Sequence, residues 1–319
     1  MSRYLVRRLL TAIPTLLLIS FVLYAILSLA PGDPLSQFAA NPSVPPEVRE
    51  NIRRSLGLDD PWPVRYVKWL SSLAQGNWGF SFGSRMPVWD LIKLRIPSTL
   101  AVVGIAYVIS LLIAIPIGIL SAIKQYSLFD HISTTFAFIG FSVPTFFTGL
   151  LLIIVLSVKL QWLPFIYDST LQVRDLGSLG AQIKQSLMPI LVLGLFQAAT
   201  FVRYTRASML ENLPQDYVRT ARAKGLAETS VINRHVVRNS LIPVVTLIAL
   251  SAPTVFSGAL ITEQIFRVPG IGALLITSIQ NNDIPVIMAI TFTFSFLVVV
   301  FNVFADVMYG VLDPRIRYD

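Results

Sequence analysis

The chain has 319 residues, 54% of them hydrophobic and only 13% charged, with a mean hydropathy of +0.69. A soluble domain of this length carries about twice that share of charge, so the composition is that of an integral membrane protein. The absence of cysteine excludes a disulfide framework, a thiolate metal site and a thiol nucleophile. A net charge of +8 is what basic cytoplasmic loops produce in such a protein, and it does not call for nucleic acid.

The first residues are basic, with Arg3, Arg7 and Arg8. Leu9 to Ala30 is then apolar for about 22 residues, enough for about 30 Å of hydrocarbon. It is too long for a secretory h-region and lacks a convincing small-residue cleavage site, so it reads as a first transmembrane helix. Pro31-Gly32-Asp33-Pro34 ends it sharply. The polar stretch that follows contains Pro45-Pro46, a short helix expected over Glu47 to Leu56, and the aromatics Trp62, Tyr66, Trp69, Trp78, Phe80, Phe82 and Trp89. Tryptophans favour the membrane–water boundary. This segment is expected to pack on the outer face; a partner-docking surface is the alternative.

Further apolar segments run over 98–123, 132–158, 187–202, 241–261 and 285–311, making six spans with the first. Pro116, Pro144, Pro189 and Pro253 lie within or near their ends. They predict kinks or breaks that line an interior; for Pro189 an ordinary helix-terminal proline is the preferred reading. With the N-terminus inside, inner segments hold Arg3, Arg7, Arg8, Lys124, Arg203, Arg206, Arg219, Arg222, Lys224, Arg234, Arg238, Arg315 and Arg317. Short outer loops hold only Lys159, Arg174, Lys184 and Arg267. This asymmetry puts both termini in the cytoplasm.

One stretch is polar where its flanks are apolar: Asp216-Tyr217-Val218-Arg219-Thr220-Ala221-Arg222-Ala223-Lys224-Gly225-Leu226, continuing to Arg234-His235 and Arg238-Asn239-Ser240-Leu241-Ile242-Pro243. Pro214 suits a helix start, Asp216 favours the positive end of the helix dipole, and Gly225 can end the helix at positive φ. A second helix is expected over Glu228 to Asn239, with Ile232 and Val236 on an apolar edge and Arg234 and Arg238 on a basic one. Helix, glycine turn, helix makes a compact module on which something docks; the plainer reading is a basic loop that fixes topology.

The chain contains no GxxxxGK[ST], HExxH or GxSxG. Its acids in or near spans are Glu263, Asp283 and Asp306, and they read as helix-end or interhelical hydrogen-bonding groups. His131 and His235 read as surface or structural imidazoles. Polar groups available to a path between the spans are Ser142, Gln197 and Asn302, beside kinks at Pro116 and Pro144. A secondary transporter or channel would need buried charges and inverted repeats, and an intramembrane enzyme would need paired catalytic residues; neither pattern is visible.

The Asp216–Leu226 stretch with Arg234-His235 and Arg238–Pro243 resembles the EAA loop of binding-protein-dependent ABC importers. It closely resembles the version in the dipeptide/oligopeptide/nickel permease subfamily. Ala30–Pro34, Glu263-Gln264-Ile265-Phe266 with Pro269-Gly270-Ile271-Gly272, and Leu312-Asp313-Pro314-Arg315-Ile316-Arg317 resemble the B-type subunit of these permeases. Arg219-Thr220 stands where the general pattern has Glu-Ala, and Leu241-Ile242-Pro243 lies farther from Gly225 than that pattern places it.

The resemblance implies an all-α, six-helix type I importer permease in a prokaryotic inner membrane. Residues 1–94 would be the first helix and an extracytoplasmic loop, 95–310 the transport core with its loop at about 212–243, and 311–319 a cytoplasmic tail. The implied docking residues for an ATPase subunit are Asp216, Tyr217, Arg219, Thr220, Ala221, Arg222, Lys224, Gly225 and Leu226. Ser142, Pro144, Gln197 and Asn302 would face the translocation path. The implied partners are a homologous C-type permease subunit, two cytoplasmic ATPase subunits that bind ATP and Mg, and an extracytoplasmic binding protein. This chain would hold no metal, cofactor or catalytic residue. The implied substrate is a short peptide, with nickel chelates, glutathione or oligosaccharides as alternatives. Reporter fusions at Gly57 and at Lys224 are expected on opposite sides of the membrane; the same side for both would overturn the topology.

Overall fold

The computed structural model describes residues 2–29, 59–257 and 259–312, with isolated positions between 45 and 54. The Ala30–Pro34 stretch, most of the helix expected over Glu47–Leu56, and everything after Leu312 lie outside the described residues. Apart from one isolated bridge between Phe80 and Pro87, the regular structure among the described residues is helical. Lipid imposes this, because a spanning backbone must satisfy its own N–H and C=O groups.

The helices are α1 (Ser2–Leu29), α2 (Trp62–Ala74), α3 (Val88–Ile123), α4 (Leu128–Ser142), α5 (Thr145–Lys159), α6 (Leu176–Asn212), α7 (Asp216–Ala223), α8 (Glu228–Phe256), α9 (Leu260–Phe266), α10 (Ile271–Gln280) and α11 (Ile284–Leu312). Five of them, α1, α3, α6, α8 and α11, are long and apolar enough to cross a membrane. Two pairs meet that test only together: α4 with α5, bent by 100°, and α9 with α10, bent by 90°. The number of crossings is therefore between five and seven. The expected six falls in that range without being fixed by it.

The break between α4 and α5 falls at Val143-Pro144. Both residues are extended, at ψ 123° and 137°, because a residue before proline is pushed out of the helical region. The break expected there is present. Pro116 does not interrupt α3, and Pro189 lies well inside α6 instead of at its end. In a packed membrane helix, neighbouring groups re-satisfy the carbonyl that a proline frees. The segment expected over 241–261 is divided differently. Its helix starts at Glu228, passes through a π-helical turn (Val231–Val237), Pro243 and a turn at Ala252 before Pro253, and ends at Phe256, leaving Ile261 in α9.

The aromatic segment packs within the chain. Tyr66 and Ser20 hydroxyls lie 2.9 Å apart. Phe21 meets Trp62 and Tyr66 at ring distances of 5.4 and 5.3 Å, and Trp69 touches Phe292 of α11 edge-on at 5.8 Å. So α2 brackets α1 against α11. The start of α3 is held by another apolar cluster, in which Val88, Leu91 and Ile92 pack on Leu274 and Leu275 of α10 and on Val286 and Ile290 of α11.

Glu263 is fully buried in the α9–α10 hairpin. Its carboxylate accepts from the Thr99 hydroxyl at 3.1 Å and from the Ala273 N–H at 2.9 Å. The Thr99 hydroxyl in turn accepts from the Ile271 N–H at 2.8 Å. The carboxylate thus faces the positive end of α10. A Cβ on Gly270 would stand 2.3 Å from the carboxyl carbon, so glycine here provides space. The expectation of interhelical hydrogen bonding at Glu263 holds. Asp283 is also buried, and it accepts from the Ser81 hydroxyl at 2.6 Å and the Gly83 N–H at 3.0 Å. The side chain of Asp306 lies outside the described residues.

The central contact is α3 along α6. At Gly118 an added Cβ would stand 2.6 Å from the Thr205 Cβ and 2.9 Å from the Val202 carbonyl oxygen. Tyr107 ties the same pair to α8, donating to the Ile248 carbonyl at 2.6 Å. Gly118→Val is expected to destabilise the folded chain by about 1–3 kcal/mol or more, as overpacking does. Gly104→Ala, whose new Cβ would meet Val255 at an ordinary 3.6 Å, is expected to be neutral. Thermal unfolding of the purified variants in detergent checks the pair, and equal melting would refute the close approach.

Candidate functional site

The polar module starts from α7. Its N-cap is Gln215, with Pro214 in the turn before it and Asp216 in the first turn. The Tyr217 hydroxyl donates to Asn212 Oδ1 at 2.7 Å, closing that turn onto the end of α6. At the other end Gly225 has φ +78°. Its N–H donates to the Arg222 carbonyl at 2.9 Å, and the Leu226 N–H reaches back to the Ala221 carbonyl at 3.4 Å. This pair of bonds is the Schellman stop, which requires a left-handed residue. An added Cβ on Gly225 would meet nothing within 4 Å, so the backbone angle alone demands glycine there and the space above it is open.

One face of α7 is apolar and buried. Val218 and Ala221, spaced for one helix face, pack with Met209 of α6, Ala122 of α3 and Val231 and Val236 of α8. Ala221, expected among the docking residues, therefore belongs to this base and not to the exposed rim. Tyr217 is half-buried. Asp216, Arg219, Thr220, Arg222, Lys224, Gly225 and Leu226 are exposed and form the rim. The second helix does not stop at Asn239 as expected but runs unbroken into the apolar part of α8. Arg234 and Arg238 are exposed on it, while Val236 is buried and Ile232 packs against the base.

The rim cations differ in what they have left to offer. Arg222 makes a forked pair with Glu228, Nη2 to Oε1 at 2.6 Å and Nε to Oε2 at 3.0 Å, clamping the end of α7 to the start of α8 across the glycine turn. Those hydrogen bonds raise the Arg222 guanidinium above its ordinary value. Arg219 has only a loose contact with Asp216 at 3.7 Å, both side chains largely exposed. The Thr220 hydroxyl is turned back onto the Asp216 carbonyl at 2.9 Å.

The base is tied to the spans by polar bonds. The Ser208 hydroxyl of α6 donates to the Ser240 carbonyl of α8 at 2.7 Å. Nearby, Asp130 at the start of α4 is 2% exposed. It accepts Arg206 Nε at 2.7 Å, Arg206 Nη2 at 2.8 Å and the Tyr126 N–H at 2.9 Å, with the Ser121 hydroxyl as a further donor. This buried pair joins α4, the end of α3 and α6. Arg203 and Arg206, expected among the inner segments, both lie within α6. Sequence reasoning missed Asp130, although a serine three positions earlier is the pattern of a helix N-cap, and Ser127 does accept its N–H at 3.2 Å.

Of the expected path residues, Ser142 and Pro144 are exposed at the α4–α5 break and Gln197 is half-buried on α6. Their helices meet where Phe141 stacks on Phe196 at 6.3 Å and Gly140 faces Ala199. Asn302 is exposed on α11, whose main packing partners are α1, α3, α8 and α10, so it stands apart from the other three within this chain. Elsewhere, the 160–175 connection and α6 form an open cleft of about 450 Å³ that includes Trp162, Pro164, Asp168 and Lys184. Thr170 donates to Asp168 from its hydroxyl and N–H at 2.6 and 2.8 Å, which holds that carboxyl below its ordinary range. No group of three or more His, Asp or Glu suited to a metal occurs among the described residues.

A multi-pass helical bundle with a rigid, exposed polar module fused to the ends of its spans is the membrane component of a transport assembly that includes other subunits. Comparison with known families makes this specific. Residues 114–318 match the family described as "Binding-protein-dependent transport system inner membrane component", and residues 1–103 match its N-terminal companion. The chain belongs to this family, the membrane permease component of ABC importers, and has its type I fold. It is 42% identical over 319 residues to the oligopeptide transport system permease protein AppB of Bacillus subtilis, covering all of both chains. It is 35% identical over 338 aligned positions to the dipeptide transport system permease protein DppB of Escherichia coli, covering 100% of this chain and 99% of that one. A glutathione transport system permease protein of Escherichia coli, GsiC, is 38% identical over the full length of both.

Removing one member of the buried ion pair leaves the other uncompensated. Asp130→Ala is expected to destabilise the fold by about 3 kcal/mol, the lower end of the range for buried pairs because 24% of the Arg206 side chain is exposed. Asp130→Ala with Arg206→Met should lose less than the sum of the single changes. Thermal unfolding of the three variants measures the coupling, and strict additivity would refute it.

Proposed function

We propose that this chain is one of two permease subunits of an ATP-driven importer of short peptides. The observation that carries the reading is the module itself: an exposed rim of Asp216, Arg219, Thr220, Arg222, Lys224, Gly225 and Leu226 on an apolar base shared with α3, α6 and α8. Such a surface does mechanical work without chemistry of its own. ATP and Mg belong to two ATPase subunits that dock on this rim and on its counterpart in a homologous C-type permease, and a binding protein delivers the solute from outside. Both termini are cytoplasmic, in a bacterial inner membrane. Full-length similarity to oligopeptide and dipeptide permease proteins supports the peptide substrate. Glutathione is the second reading, favoured by a relative of comparable identity; nickel chelates and oligosaccharides belong to the same importer class.

Co-purification from the native host tests the assembly, and a ligand screen on the co-purified binding protein tests the substrate. Recovery of the chain without ATPase subunits would sink the first, and a binding protein that ignores peptides would sink the second. Gly225→Val is the sharpest probe of the rim. It strains the turn by about 1 kcal/mol or more and places bulk where the partner must approach. Membrane insertion is expected to stay normal while ATPase-subunit recovery or substrate-stimulated hydrolysis falls. Arg219→Ala should be milder, since an exposed ion contact is worth about 0–1 kcal/mol. Full assembly and normal stimulation in Gly225→Val would reduce the module to a topological loop.

A further inference from the structure

Two arginines lie one turn apart on α6 and are treated differently by the fold. Arg206 is locked on the buried Asp130. Arg203 is exposed, and it makes no hydrogen bond or ion pair among the described residues. Instead its guanidinium carbon lies 4.6 Å from the centre of the Phe141 ring and 5.8 Å from that of Tyr204. Phe141 is itself stacked on Phe196 at an interplanar angle of 10°. Rings covering the flat face of a guanidinium leave its N–H edge open, and that edge is the part a carboxylate grips with two parallel hydrogen bonds.

Position gives this group meaning. On α6, Arg203 lies one turn from Arg206 and about 9 Å of helix rise from Met209 in the base of the module. A cation on a spanning helix is costly against lipid and turns toward the bundle interior or a water-filled cavity. Beside it the span breaks by 100° between Ser142 and Thr145, and Ser142 and Pro144 are exposed at the break.

The geometry points to Arg203 as a binding residue for the terminal carboxylate of the peptide in transit, with Phe141 and Tyr204 packed against its guanidinium. This rests on the peptide reading above. The bend between α4 and α5 then has a definite role, which is to leave the aromatic-backed arginine open beside the break.

The test uses cells carrying variants at the chromosomal locus. Uptake of a radiolabelled tripeptide is measured as the difference from a deletion strain, and membrane abundance of each variant is followed in parallel. Arg203→Gln is expected to lower uptake by about ten-fold or more, the scale of losing a charge-assisted hydrogen-bonded pair. Arg203→Cys should fall similarly. Because the chain has no native cysteine, the introduced thiol is then modified in the membrane. A trimethylammonium-ethyl methanethiosulfonate should restore much of the uptake, and the sulfonate-bearing reagent should not. Rescue by charge after folding separates binding from a structural role. Unchanged uptake in Arg203→Gln, a thiol that neither reagent reaches, or equal effects of both reagents would overturn the role of Arg203 and leave the importer intact. Wild-type cells without chain-dependent tripeptide uptake would overturn the peptide reading, and this proposal with it.

Discussion

The contact on which the rest of the structure depends is apolar and small. Val218 and Ala221, on the buried face of an eight-residue helix, sit among Met209, Ala122, Val231 and Val236. An isolated helix of that length is marginal in water, so α7 exists because its inner face is buried. Burying side chains of this kind is worth about 1.5–3 kcal/mol each for the larger ones. The same contact makes the module a rigid extension of α3, α6 and α8, so the module and the adjoining ends of those helices move together. Hydrogen bonds from Ser208 to Ser240 and from Arg206 to Asp130 keep the ends in register.

Two buried carboxylates inside the bundle are satisfied in different ways. A buried carboxylate is costly and needs hydrogen-bond donors; Asp283 keeps one oxygen, Oδ1, without a partner. Asp130 meets the requirement with a guanidinium, a backbone N–H and a hydroxyl, and it crosslinks α4 to α6. Glu263 has no cation among its hydrogen-bond partners. It uses the Thr99 hydroxyl and N–H groups at the start of α10, which folds the α9–α10 hairpin around the carboxylate. The first is a strut between spans near the module, and the second fixes a hairpin remote from it. Neither belongs to a chain of titratable groups among the described residues.

The glycines divide by the same physical accounting. Gly225 is needed for a left-handed backbone angle in open space, Gly118 for the approach of Thr205 and the Val202 carbonyl, and Gly270 for the carboxyl group of Glu263. Substitution therefore acts at different places: on the turn and the open space above it at Gly225, on bundle packing at Gly118, and on the hairpin at Gly270.

Composition and hydrophobic run length were enough to determine a helical membrane protein, because lipid admits no other arrangement for such apolar segments. The glycine stop of α7 and the break at Pro144 were also legible, since each follows from a local backbone restriction acting on one residue. What the tertiary structure alone decided are the properties that depend on neighbours. Ala221 reads as rim or base according to what packs beneath it, and Pro116 and Pro189 stay inside helices because adjacent groups re-satisfy the backbone. Arg203 and Arg206 look equivalent in sequence. Arg206 lies against a buried carboxylate and Arg203 against an aromatic ring, because α4 presents Asp130 at one end of its contact with α6 and Phe141 farther along it.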